Sequence, residues 1–390
     1  MTRVVVGMSG GVDSSVAAAL LKEQGYDVVG IMLRLWSEGP VIGDDGVELP
    51  NENKCCSLES VNDARRVAAK LGIPFYVINV QDTFQETIVD FFYEEYLAGR
   101  TPNPCLRCNR YIRFTLLLER ALALGADYLT TGHYARVDND PATGLRRLRM
   151  ATDRAKDQSY VLSVLSQEQL SHALFPLGEY TKPEVRAMAA ERGLTVATKA
   201  ESQEICFVAA NDYRGFMRRY ADSTGREAPQ PGPILDESGA QLGKHDGLAY
   251  YTIGQRKGLG VSAREPLHVL RMDQARNALV VGPAARLDTT EFTVRSMSWT
   301  SGVTPTAPFD ALVKARYKAA PIPATITPLS DGRVQVVCAQ PLRAVTPGQG
   351  AVLYGGAEGD EALGIGLIEG GETSVAASET EAQAVGAAPR

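Results

Sequence analysis

The chain has 390 residues, 44% of them hydrophobic and 22% charged, with six cysteines and a net charge of −6. That length allows two or three domains with cores of their own, and no apolar run approaches the roughly 20 residues that cross a bilayer. Met1-Thr2-Arg3 leads straight into a strand without a signal peptide, and the cysteines are too sparse for a disulfide scaffold, so a cytoplasmic protein with no membrane partner is expected.

Val4, Val5 and Val6 form a β-branched strand that runs into Gly7, Met8, Ser9, Gly10, Gly11, Val12, Asp13 and Ser14. Ser14–Glu23 then reads as a helix with Gly25 as its C-terminal cap. A strand, a glycine turn and a helix N-terminus make an anion site, because unpaired backbone N–H groups and the helix dipole point at one spot. The glycines let the backbone close on a phosphate, Ser9, Ser14 and Ser15 add hydroxyl donors, and Asp13 is a candidate magnesium ligand. The P-loop needs a lysine that is missing before Lys22, and the glycine spacing does not give the dinucleotide fingerprint.

Val28–Leu35 reads as the second strand, Ser37–Asn53 as a polar insertion, and Ser57–Leu71 as a helix capped by Ser57 or Ser60. A third strand is expected at Phe75–Val80 and a helix at Thr83–Tyr96. Pro102 and Pro104 delay any further helix to Cys108 or later, so a rigid loop is expected to present Cys105 and Cys108 among arginines. Such surroundings raise the thiolate fraction of a thiol. Phe114–Leu124 follows as a helix, and Ala126–Thr131 as a fourth strand that ends at Gly132 and His133. Strands alternating with helices imply an α/β domain with a doubly wound parallel sheet, whose ligands gather at the carboxyl ends of the strands.

Helices are expected at Ser166–Leu170, Lys182–Arg192 and Asn211–Tyr220, with Cys206 before the last of them. From Gly232 onward, short strands such as Ala311–Tyr317, Ala324–Pro328, Arg333–Cys338 and Gly350–Tyr354 alternate with glycine and proline turns, which suits a small β-barrel. The stretch from Gly371 to Arg390 has no aromatic residue and is expected to be a disordered tail. Between Ala357 and Arg390 seven acids face one base, so this stretch carries the whole −6 and the remainder is neutral. The basic residues of that remainder cluster in three groups: Arg100, Arg107, Arg110, Arg113 and Arg120; Arg146, Arg147, Arg149, Arg154 and Lys156; and Arg214, Arg218 and Arg219. Basic patches on a neutral body permit binding to a phosphate backbone. Cys55, Cys56 and Cys338 have no such setting and are read as structural.

The hexapeptide Ser9 to Ser14 resembles the pyrophosphatase loop of the N-type ATP pyrophosphatases, which split ATP between the α- and β-phosphates. The sequence as a whole resembles the tRNA-specific 2-thiouridylases. The resemblance rests on Gly7 to Ser14, Thr101 to Pro104 with Cys108 and Asn109, Thr131 to Tyr134, Lys156 to Ser159, Ser202 to Phe207, Gly254 to Arg256, Ala315 to Tyr317 and Pro347 to Gln349. It implies an ATP-pyrophosphatase domain over 1–210 with the catalytic cysteines, a small central domain over 211–285 and a tRNA-contacting β-barrel over 286–370, with 371–390 as tail. It further implies that Gly7, Met8, Ser9, Gly10, Gly11, Val12, Asp13, Ser14, Met32 and Gly132 bind ATP, with Mg2+. Asn103, Pro104 and Cys105 would line the extruded base, and His133, Lys156, Asp157, Gln158, Arg316, Tyr317 and Gln349 would contact tRNA. Cys206 would carry a persulfide, with Cys108 as the other catalytic cysteine.

The implied reaction is 2-thiolation of the wobble uridine in the anticodon loop: ATP adenylates O2, sulfur enters C2, and AMP and pyrophosphate leave. A cysteine desulfurase or a sulfur-relay protein would load Cys206. Many relatives carry Asp where this chain has Cys105, so Cys105, Cys108 and Cys206 are also candidate ligands of a 4Fe-4S cluster with one open iron. Persulfide and cluster both remain open at this point. Another adenylating synthetase of the same loop type, or a redox-sensing ATP- or RNA-binding module, are the competing readings.

Overall fold

The computed structural model describes residues 1–38, 57–200, 205–209 and 212–370, with backbone alone at 41–42, 48–49 and 371–372. Most of the polar insertion, Cys55, Cys56 and the tail beyond Glu372 lie outside the described residues.

Five parallel strands form the first sheet, in spatial order Phe75–Asn79, Asp27–Arg34, Arg3–Gly7, Tyr128–Thr131 and Ala173–Leu174. Its centre is apolar on both faces, as a doubly wound sheet requires: Val4, Val5 and Val6 are fully buried. The chain runs outward from Arg3–Gly7 to one edge, then crosses back to Tyr128–Thr131 on the other side of it. The order therefore reverses between these two strands, and the crevice at their carboxyl ends is where such folds take ligands. Helix Val12–Glu23 packs on one face through Val16, Ala17, Leu20 and Leu21. Helix Leu58–Leu71 starts at Ser57, whose hydroxyl accepts from Ser60 N at 3.1 Å, and stops at Gly72 in the left-handed region.

A four-stranded sheet in the order Gln241–His245, Gly232–Leu235, Ala278–Pro283, Leu267–Asp273 forms the middle of the molecule. It shares one core with the first domain, in which Phe92, Cys108, Phe207 and Phe216 pack with Ile234, Val269 and Leu279. The C-terminal strands Asp288–Trp299, Val334–Arg343, Ile322–Pro328, Phe309–Lys314, Gly350–Gly355 and Glu361–Glu372 pair in that order and close through pairing of the first with the last. Closure removes the sheet edges and encloses Phe292, Val313, Ile326, Val336 and Leu353.

Two features differ from the expectations above. Pro104 does not delay the helix, because it occupies the first turn of Pro104–Arg107, where proline's missing N–H has no partner to lose and its fixed φ is helical. Cys105 and Cys108 thus lie one turn apart on a helix that continues without a break through a π-helical stretch, Cys108–Leu117, to Ala123. The second is a hairpin, Ala135–Asn139 with Arg146–Met150, that leaves the α/β domain and joins the barrel sheet at Glu361 opposite Arg149. Asp360 at this junction is 1% exposed and receives Arg136 at 2.6 Å, Arg149 at 2.8 Å and Arg154 at 3.6 Å. Arg147, Arg149 and Arg154 of the second arginine group therefore pair with acids of the chain.

Candidate functional site

The glycine loop after Arg3–Gly7 and the Gly132 turn after Tyr128–Thr131 meet at the switch point. Gly10 has φ +71, and a methyl group there would sit 2.2 Å from the Ser60 carbonyl oxygen. At Gly132 a methyl group would sit 2.6 Å from Ser14 N, so only glycine lets the two turns close on each other. The loop is pre-organised by Ser9 N donating to Ser14 Oγ at 3.1 Å and by Ser15 Oγ donating to Gly11 O at 2.8 Å. Gly11 caps the helix without a side-chain acceptor, so the first N–H groups of Val12–Glu23 have no cap from their own N-cap residue. Gly10→Ala should cost about 1–2 kcal/mol from left-handed strain alone, with the backbone collision adding to it. Loss of ATP-dependent thermal stabilisation in that variant is the expected readout; a shift equal to that of the wild type would contradict it.

Asp13 is engaged by two protein groups. Lys182 Nζ lies 2.7 and 2.8 Å from its two oxygens, and Tyr134 donates its hydroxyl to Oδ1 at 2.8 Å. The Lys182 side chain is 8% exposed and its ammonium also faces the Tyr134 ring at 5.8 Å. The same two residues lead to the segment 153–158. Lys182 N donates to Asp153 Oδ2 at 3.0 Å, and Asp153 Oδ1 accepts from Ala155 N and Lys156 N. Tyr134 N donates to Gln158 Oε1 at 3.0 Å, and Gln158 N donates to Tyr134 O at 2.8 Å. Lys156 and Gln158 are partly exposed, while Asp157 is buried and accepts from Ala151 N, Ser159 N and Ser159 Oγ. Asp157 therefore holds the turn.

Met32 is 1% exposed, and its side chain packs with Val6 and Met8 in the core, which leaves its backbone as the part able to meet a ligand. His133 is buried: Nε2 lies 3.1 Å from the Arg113 guanidinium, which only donates, so Nδ1–H donates to Thr131 Oγ1 at 2.6 Å. Burial and the Arg113 charge hold its pKa well below the usual imidazole range. It is a neutral acceptor that orients Arg113.

The cysteine helix is fastened at its start. Asn103 Oδ1 accepts from Cys105 N at 3.1 Å as the N-cap. The barrel holds the preceding residues: Thr101 N donates to Pro347 O at 2.9 Å, and Gln349 Nε2 donates to Thr101 O at 2.8 Å. Tyr317 stands edge-on to Tyr160 at 5.8 Å, and Tyr160 donates its hydroxyl to Gly350 O at 2.9 Å. The ammonium of Lys314 lies 5.9 and 5.8 Å over these two rings, and burial pushes its pKa down against the pull of Asp157. Arg316 donates to Ala344 O and Thr346 Oγ1, which braces the turn below Gln349. Asn103, Cys105, Tyr317 and Gln349 are thus gathered at one seam between the α/β domain and the barrel, with Tyr160 and Lys314 behind them.

Cys105 is exposed and Cys108 is 8% exposed. Cys206 is partly buried and packs against the aromatic cluster to which Cys108 belongs. Its neighbour Phe207 is the anchor, with ring contacts to Phe84 at 5.9 Å, Phe92 at 5.2 Å and Phe216 at 5.5 Å. Cys108 and Cys206, nearly a hundred residues apart in sequence, are brought to one cluster. Among the described residues no three His, Cys, Asp or Glu side chains are grouped as a metal-ligand set.

Sequence reasoning gave no role to Lys182, Tyr160 or Lys314, which stand in ordinary local contexts, and quoted Tyr134 only as the end of the Thr131 to Tyr134 motif; the fold gives all four their partners. Among the described residues, no helix is long and apolar enough to cross a membrane.

Three family descriptions match in order: a tRNA methyl transferase HUP domain at residues 2–210, a tRNA methyl transferase PRC-barrel domain at 224–283 and an aminomethyltransferase beta-barrel domain at 289–368. The chain is 50% identical over 367 residues to a tRNA-specific 2-thiouridylase MnmA of Heliobacterium modesticaldum, a match covering 94% of this chain and 92% of that one. It is 48% identical over 371 residues to the protein of the same name from Roseiflexus castenholzii, covering 92% and 97%. A solved U34-tRNA thiolase NcsA from Methanococcus maripaludis, which carries a 4Fe-4S cluster, is 19% identical and covers 57% of this chain and 65% of that one. Its TM-score of 0.32 is too low to carry an argument.

Proposed function

Because the chain belongs to the tRNA-specific 2-thiouridylase family, a family of tRNA sulfurtransferases, we propose that it converts the wobble uridine of tRNA to 2-thiouridine in two ATP-driven stages. In the first, the loop from Gly7 to Ser14 takes the phosphates of MgATP, and uridine O2 attacks the α-phosphorus. Pyrophosphate leaves and the uridine O-adenylate forms. O2 is otherwise a poor leaving group, and adenylation makes it leave as AMP. In the second, a Cys206 persulfide attacks C2 with its terminal sulfur and AMP departs. Cys108 thiolate then attacks Cys206 Sγ, which frees the thiolated base and leaves a Cys108–Cys206 disulfide that a two-electron thiol reductant must open. Attack of Cys108 on the persulfide before transfer would instead release hydrosulfide as the nucleophile and leave the same disulfide.

The observation that carries this reading is the shared packing cluster of Cys108 and Cys206, on the α/β domain whose switch point bears the glycine loop. Cys105, by contrast, is exposed outside that cluster. We read Cys206 and Cys108 as the persulfide carrier and its resolving thiol, and no step here runs through a cluster. A cysteine desulfurase or a relay protein supplies the persulfide sulfur, in a cytoplasmic setting. Extrusion of the target base is needed because O2 and C2 must reach ATP and sulfur in turn; Asn103 and Pro104 at the domain seam, with Tyr317 and Gln349 from the barrel, are the residues assigned to that base and its flanks.

The test is tRNA-dependent pyrophosphate release by the purified protein, followed by mass spectrometry of the tRNA. Release should require both uridine at the wobble position and ATP, and sulfur should appear at that nucleotide when a persulfide donor is added. Undiminished wobble 2-thiouridine in tRNA from a strain lacking the protein would refute the proposal.

A further inference from the structure

The five arginines around the cysteine helix have separate fates. Arg100 is held by Glu95 at 2.7 and 2.5 Å, and Arg113 is held by His133 and Asn109. Arg107 and Arg110 make no ion pair with any acid among the described residues. They face aromatic rings instead. The Arg107 guanidinium lies 4.2 Å over the Phe91 ring and 5.0 Å from the centre of Tyr111, and that of Arg110 lies 5.6 Å from Tyr111. Arg107 is fixed in this place by donating from Nε to Thr87 O at 2.6 Å. The result is a ladder of ring, guanidinium, ring and guanidinium whose outer members, Tyr111 at 40% exposed and Arg110, face solvent.

From this ladder we propose a second RNA contact: an unpaired nucleobase of the tRNA adds to its outer end, stacked on Tyr111, while the exposed Arg110 guanidinium meets an adjoining phosphate. The inference rests on the thiolation reading above and extends it to a further nucleotide. Two features favour RNA as the occupant. Two cations without acidic partners complement a phosphate backbone. Flat aromatic and guanidinium faces are what unstacked RNA bases lie on. The ladder stands on the helix that carries Cys105, on the side turned toward Thr87 and Phe91. The side chains are also partly ordered before binding, because Arg107 is pinned between Phe91 and Tyr111, and less freedom is lost when the base docks.

Binding of a labelled tRNA anticodon stem-loop to the full chain, measured by fluorescence anisotropy across a salt series, tests this directly. Tyr111→Ala should weaken binding about tenfold or more, as loss of one stacked base does, and Tyr111→Phe should bind like the wild type. Arg110→Gln should reduce the salt dependence by about one ion. Tyr111→Phe and Arg110→Gln should melt like the wild type, and Tyr111→Ala, which also frees the Arg107 guanidinium on one side, is compared at a temperature well below its own melting point. If the wild type binds the stem-loop and Tyr111→Ala binds it equally well, the ladder is not an RNA contact, although the thiolation reading stands. If the wild type binds neither the stem-loop nor intact tRNA, both fall. Binding of a protein partner that responds to Tyr111→Ala while stem-loop affinity does not would likewise overturn the RNA assignment.

Discussion

Cys206→Ser is expected to lose sulfur transfer by about a thousandfold or more, the scale on which removing a covalent nucleophile acts, while tRNA-dependent pyrophosphate release continues. The two stages use different parts of the protein: the glycine loop lies at the strand ends, and Cys206 lies against the aromatic cluster of Phe92, Phe207 and Phe216. A serine at position 206 keeps nearly the same volume, so the turn anchored by Phe207 should survive. Cys108→Ser should show the same split, because without it the mixed disulfide with the base is not resolved. Cys105→Ser should retain most of the activity, since the persulfide route gives Cys105 no covalent step. Quantifying AMP, pyrophosphate and 2-thiouridine in parallel gives the answer. Equal loss in all three cysteine variants, with iron and sulfide in anaerobically prepared protein, would replace the persulfide by a cluster.

Lys182→Met should abolish the first stage rather than the second. Removing the ammonium leaves the Asp13 carboxylate facing the phosphate site without its counter-charge, which both repels ATP and releases the loop. Loss of one member of a fully buried pair costs about 3–5 kcal/mol. Here Asp13 keeps 31% exposure, so about 2 kcal/mol of stability is the expected loss, visible as a fall of a few degrees in melting temperature. Pyrophosphate release should fall by at least about a hundredfold, which corresponds to roughly 2.7 kcal/mol of transition-state stabilisation. Lys182→Arg, which keeps the charge, should recover part of the stability. A Lys182→Met protein with an unchanged melting temperature and full pyrophosphate release would show that the pair with Asp13 has no role.

The parts of the site that sequence made legible are the local ones. Three valines before a glycine turn and small residues after it identify Arg3–Gly7 and Val12–Glu23, because strand, turn and helix are all coded within two dozen residues. The cap at Ser57 and the capping box at Ser166 follow equally local rules. Lys182 could not be found this way, since its partner lies 169 residues earlier and Thr181-Lys182-Pro183 reads as an ordinary helix start. Reading Pro104 as a helix breaker failed because the penalty applies to helix interiors and vanishes in the first turn. The hairpin at 135–150 was hidden by its own composition: Arg146, Arg147 and Arg149 look like a solvated patch until Asp138 and Asp360 are placed beside them. The basic surface expected from three arginine groups is accordingly smaller in the folded protein than in the sequence.

The Asp360 junction also sets an order of events on the ribosome. Arg136 precedes Asp360 by 224 residues and Arg149 precedes it by 211. At ordinary synthesis rates of about 5–20 residues per second, these arginines wait roughly 10–45 s for their carboxylate. During that interval the nascent α/β domain shows an unpaired strand edge and a hairpin whose Arg147 and Arg149 have only Asp138 to pair with, close to the highly anionic ribosomal RNA. Synthesis of Asp360 and of the strand Glu361–Glu372 supplies the acid and the pairing strand together, so the hairpin loses its open edge and its excess positive charge in one step.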